Sequence, residues 1–138
     1  MLDLITRQPL VTGVVLGTML GVPHLVLGPA LSTQVAALTL AMVAGVYIGF
    51  AIVEQRATAI VAESVTAVGF ACAALGGLIL SPWFVVAAFV AHGVWDWVHH
   101  HHAEGDGIAH PPRWYPPFCL AVDWTFAVLL GASIWYNS

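Results

Sequence analysis

The chain has 138 residues, of which 60% are hydrophobic and only 7% are Asp, Glu, Lys or Arg, against roughly 25% charged residues in a soluble domain. Three Lys+Arg and seven Asp+Glu cannot clothe a water-facing surface, which excludes a soluble globular protein, while the high apolar content excludes a disordered one. A net charge of −4 with no basic patch argues against a nucleic-acid partner, and two cysteines are too few for a disulfide framework.

The reading that remains is an all-α integral membrane bundle in contact with the lipid bilayer. It forms a single domain over 1–138 with about five transmembrane helices. Apolar runs bounded by turn signals place the spans at about 9 to 31, 35 to 53, 58 to 80, 83 to 101 and 118 to 136. The first is read as an uncleaved span that Pro23 and Pro29 kink or shorten. Leu31-Ser32-Thr33-Gln34 and Ser81-Pro82 are the expected connections on one face, and neither carries a charge. The other face receives Asp3 and Arg7, the Glu54-Gln55-Arg56 turn and a loop over about 102 to 117 that contains Arg113.

All three arginines fall on that second face. The positive-inside rule makes it cytoplasmic, with the N-terminus inside and the C-terminus outside. Two aromatic belts are expected, Trp83, Trp135 and Tyr136 at the uncharged face and Trp95, Trp97, Trp114 and Tyr115 near the charged one. Gly13, Gly17 and Gly21, and likewise Gly45 and Gly49, recur at four-residue spacing, which lets helix backbones approach closely within the bundle. The Gly13/Gly17/Gly21 stripe also offers a face for a homo-oligomer. Cys72 reads as core.

Ionisable groups inside a membrane span are costly and usually functional. Glu63 lies in the third span, His92, Asp96, His99 and His100 in the fourth and Asp123 in the fifth. Glu63 and Asp123 each sit about six residues inside the charged face, ~9 Å at 1.5 Å per residue. On a helix His92, Asp96 and His99 fall within roughly 60° of one another, with His100 at the edge of the stripe. Imidazole and carboxylate are ligand types for zinc, iron and manganese, so His92, Asp96, His99, His100, Asp123 and Glu63 are the candidate ligands of one or two divalent ions, zinc or iron foremost. Glu63 and Asp123 are also the candidate catalytic carboxylates. Cys119, four residues before Asp123, is a possible thiol neighbour.

Other readings stay open: a metal-free acid/base or proton-relay site, or structural pairing, with Asp96 matched to Arg56. Glu54 reads chiefly as an interfacial charge, His101 and His102 as solvated, and His24 as remote from the cluster. Ala103-Glu104-Gly105-Asp106-Gly107 reads as a turn. The stiff segment from His110 to Phe118, with two Pro-Pro pairs, reads either as a lid over the site or as an interfacial anchor.

Ala91-His92-Gly93-Val94-Trp95-Asp96-Trp97-Val98-His99-His100, followed by Arg113-Trp114-Tyr115-Pro116-Pro117-Phe118-Cys119, resembles a small, uncharacterised multi-pass bacterial membrane family over about the C-terminal third. More distantly, Asp96-x-x-His99-His100 resembles the H-x-x-H-H box of membrane di-iron hydroxylases and desaturases, with Asp in the first position. That likeness implies iron and oxidation, although those enzymes use about eight histidines in several boxes. The leading expectation is a membrane metalloenzyme acting on a lipidic or apolar small-molecule substrate. The alternatives are a proton or metal-ion transporter and an accessory subunit that binds a cofactor or partner helix.

Overall fold

The computed structural model describes residues 2–102 and 107–137, and every regular element among them is helical. A short α1 (Leu2–Arg7) leads into α2 (Pro9–Gly21), which tightens into a 3-10 turn at Val22–Leu25. Then come α3 (Pro29–Ala44), α4 (Val46–Val53), α5 (Ala57–Ile79), α6 (Trp83–His101) and α7 (Tyr115–Tyr136). Among the described residues three segments are long and apolar enough to cross a membrane: Pro29–Val53, Ala57–Ile79 and Tyr115–Tyr136. Pro9–Leu25 is apolar but shorter, and α6 is diluted by Asp96 and its histidines.

The outer surface is largely apolar, with Val26, Met42, Ile79 and Val128 pointing outward, while Glu63, His92, Asp96 and Asp123 are buried together with an apolar core. That surface is compatible with a membrane setting, where helix contacts depend on close packing and on polar groups meeting inside. α7 lies beside α2 and α6, and α5 beside α3, α4 and α6.

Small residues set the helix spacing. A side-chain carbon added at Gly13, Gly17 or Gly21 would collide with Phe118, Val122 and Leu129 respectively, so α2 runs parallel to α7 with its glycine stripe against it. That corrects the oligomer expectation, because α7 of the same chain already fills the Gly13/Gly17/Gly21 face. The second glycine pair is corrected too. Gly49 meets nothing within 4 Å and Gly45 only its own helix's carbonyls; Gly45 instead marks the break between α3 and α4.

Connections gather at two ends. At one end the α4–α5 turn, where Gln55 takes φ 55°, packs against the segment after α6. Arg56 donates to the Ile108 carbonyl at 2.8 Å, and the His110 amide donates to Glu54 at 2.5 Å. At the other end Ser133 donates to the His24 carbonyl at 2.5 Å, and His24 Nδ1 lies 2.8 Å from Ser32 Oγ.

Helix limits differ from the sequence reading in two places. The first connection is Val26-Leu27-Gly28 rather than Leu31 to Gln34, since Gly28 is extended (ψ 146°) and Pro29 opens α3, where a missing N–H costs nothing. Likewise α7 begins at Tyr115, with Pro116 and Pro117 inside its first turn. Cys72 is exposed on the outer surface and is not core. The expected Ala103-Glu104-Gly105-Asp106 turn lies outside the described residues.

Candidate metal centre

The interior face of α6 changes character along its length. Val85, Ala88 and Phe89 are succeeded at helical spacing by His92, Asp96 and His99, all buried. The apolar half packs with Leu40, Phe126 and Leu130 into a core cluster, and the polar half meets carboxylates from α5 and α7. Gly93 makes the second meeting possible. A side-chain carbon there would strike the Trp124 indole, which lies across α6 and donates to the Val90 carbonyl at 3.2 Å. Trp124 follows Asp123, so the close approach it requires at Gly93 also brings Asp123 to His92.

His92 Nδ1 lies 2.6 Å from Asp123 Oδ2 and 3.7 Å from Asp96 Oδ2, with all three residues at most 2% exposed. One donor atom from each residue falls within 4.8 Å of the other two. A tetrahedral ion with ligand bonds of 2.0–2.1 Å sets its donors about 3.3 Å apart, a value that these two separations straddle. Asp96 Oδ1 accepts from the Tyr47 hydroxyl at 2.6 Å, whereas Asp96 Oδ2 and His92 Nε2 are buried with no hydrogen-bond partner among the described residues. Orphaned polar atoms are rare in folded interiors and call for an explanation.

The other expected ligands form a separate group. His99 Nδ1 faces the Trp95 carbonyl at 2.9 Å, an obligate acceptor, so this nitrogen carries a proton. His99 Nε2 lies 2.9 Å from Glu63 Oε1. That oxygen also accepts from the Ala109 amide at 2.9 Å, and Glu63 Oε2 accepts from the Trp95 indole at 3.2 Å. Both Glu63 oxygens therefore have hydrogen-bond partners, His99 and the Ala109 amide on one and the Trp95 indole on the other. The group anchors Ala109, which packs with Tyr47, Ala51 and Ala59. The structure thus places Glu63 and His99 against each other and against the α6–α7 segment, apart from the group formed by His92, Asp96 and Asp123.

His100 is exposed, its ring edge-on to His101 at 5.1 Å. It lines an open cleft at this end together with His99, His102, His110, Arg113 and Pro116. His101 and His102 are exposed, as expected. Glu54 pairs with Arg56 at 3.5 Å and with His110, so Arg56 serves Glu54 and the Ile108 carbonyl, not Asp96. Trp95 lies inside on Glu63 instead of joining the outer belt, while Trp97 is 52% exposed. Cys119 is a free, partly buried thiol.

Among the described residues one three-residue metal-competent group is present, His92, Asp96 and Asp123, so a pair of ions has no second preformed set of ligands. Tyr47 is the participant that the sequence reading missed. The available signal was its depth: it precedes Glu54 by seven residues, ~10 Å along a helix, and so lies level with the buried acids. No protein-family model, curated protein or solved structure matches this chain.

Proposed function

We propose that this protein is a membrane-embedded, metal-dependent enzyme acting on a lipidic or otherwise apolar substrate. Its site lies in the cytoplasmic half of a five-span bundle whose N-terminus is inside and whose C-terminus is outside, in a bacterial inner membrane. The observation that carries the reading is the geometry of the trio: donor atoms of His92, Asp96 and Asp123 lie within 4.8 Å of one another, and Asp96 Oδ2 is buried with no hydrogen-bond partner among the described residues. A divalent cation held by these three residues would give that oxygen a partner and offset carboxylate charge in a buried setting. Zinc or iron suits this donor set, and a divalent ion bound there supplies a Lewis acid for activating water or oxygen.

Three observations support the rest of the reading. The group supplies three protein ligands, and three protein ligands leave coordination positions open, as at catalytic sites. The half of the bundle beyond the trio is closed by apolar packing, with Phe89 and Phe126 rings 4.6 Å apart, which favours a one-sided site over a through-path for ions. A lipid-facing groove of about 450 Å³ between α5 and α6 includes Gly69, Ala73 and Ala91 and has Phe70 in its wall. Phe70 meets the His92 ring edge-on at 4.9 Å, so an apolar chain lying in this groove is one side chain from the trio.

Elemental analysis of detergent-purified protein tests the first step. One zinc or iron per chain is expected, and absence of any stoichiometric transition metal sinks the reading. Proteoliposome ion flux that depends on Asp96 would instead establish transport.

A further inference from the structure

The trio alone does not fix how Asp96 binds, because a free carboxylate can offer a metal one oxygen or two. We infer that Tyr47 is the positioning residue of the metal centre, committing Asp96 Oδ1 to its own hydroxyl so that Asp96 ligates through Oδ2 alone. The inference rests on the metal reading above and goes beyond it by assigning the coordination mode and the residue that sets it.

The hydroxyl contact is short, 2.6 Å, and both partners are at most 1% exposed. A phenol donating to a carboxylate in such a setting makes a charge-assisted bond with no water to compete for it. Tyr47 is itself held on several sides. Its ring stacks on His99 at 3.9 Å and 25° and meets Tyr115 at 6.0 Å and Phe50 at 6.1 Å. His99 is fixed in turn by Glu63 and the Trp95 carbonyl.

After the break at Gly45 a new helix begins one residue before Tyr47, so the phenol approaches α6 from a short segment of its own. The two oxygens of Asp96 consequently differ: one is satisfied by Tyr47, and the other is orphaned beside His92. A ligand carboxylate held by an outer hydrogen bond is the arrangement by which metal sites fix geometry, and loss of such a partner typically weakens metal binding by roughly 10- to 100-fold.

The test uses full-length protein in detergent, stripped with chelator and titrated with Co²⁺, whose visible spectrum reports coordination number. Wild type and Tyr47→Phe are compared for stoichiometry, affinity by chelator competition and spectrum; Tyr115→Phe is the control, since it removes a nearby phenol but not the bond to Asp96. The phenylalanine keeps the stacked ring, so the fold is expected to persist, and circular dichroism verifies it.

Tyr47→Phe is expected to bind one ion per chain roughly 10- to 100-fold more weakly, with a changed spectrum as Asp96 Oδ1 becomes free, while Tyr115→Phe matches wild type. Equal affinity and an unchanged spectrum in Tyr47→Phe overturn the positioning role while leaving the metal centre standing. A wild type that binds no Co²⁺ overturns both. A Tyr115→Phe change as large as that of Tyr47→Phe also overturns the role, because ring packing and not the hydrogen bond then governs the site.

Discussion

Two buried histidines, His24 in the turn after α2 and His92 midway along α6, have similar exposure and different polar neighbours. His24 and His92 are each 2% exposed, and each meets a phenylalanine edge-on, Phe126 at 5.0 Å and Phe70 at 4.9 Å. His24 faces the Ser32 hydroxyl, and its carbonyl accepts from Ser133. Neutral groups thus satisfy one another and tie α3 and α7 to the turn after α2. His92 faces two carboxylates, and a nitrogen and an oxygen of the group are left without partners. The contrast teaches that burial of a histidine in a helical bundle is not by itself a sign of chemistry; buried polar atoms left without partners beside it are.

The sharpest way to break this contrast is at Asp96. Asp96→Ala is expected to abolish bound metal, from one ion per chain to none, with the chain still inserted; elemental analysis alongside membrane fractionation measures it. If metal persists, the site is elsewhere and the unpartnered atoms of the trio mean something different.

Next in size is Glu63→Gln. Weakening a buried hydrogen-bond network costs about 1–3 kcal/mol, so thermal stability and hydrogen-exchange protection of the Ala109 amide should fall. Metal should stay, because Glu63 belongs to the loop anchor. Metal loss in a folded Glu63→Gln protein would restore Glu63 as a ligand.

Gly93→Val adds bulk where the Trp124 indole already sits. Overpacking of this kind costs about 1–3 kcal/mol, and here it should also part His92 from Asp123, weakening metal binding measurably in a chelator competition. Ser32→Ala at the opposite end should cost about 1 kcal/mol of stability for its hydrogen bond and leave metal content untouched, as expected of a purely structural histidine. The smallest effect is expected from His100→Ala, whose exposed ring should be removable without change in metal content or unfolding temperature.

Much of the architecture was legible from residue order. Helix limits for α5 and α6 follow the apolar runs to within a residue, and the stripe of His92, Asp96 and His99 on one face of α6 follows from helical periodicity alone. The first connection was not legible, since Leu31 to Gln34 is as polar as a turn; only the Gly28-Pro29 backbone shows where the helix restarts. Within the site, six residues at one depth read as one cluster because depth along a span is a sequence property. Rotation about the helix axis relative to neighbours is not. That rotation sends Glu63 toward His99 and Ala109, brings Asp123 to His92, and adds Tyr47 from a helix whose sequence carries no acid near it.

The sequence by itself determined the apolar character of the helices and the level along them at which the polar groups lie, because composition and position along a helix depend on nothing outside the chain. Only the tertiary structure decided which acid meets which histidine. Pairing is a matter of ångströms between different helices, and those distances are set by where small residues such as Gly93 let two backbones meet.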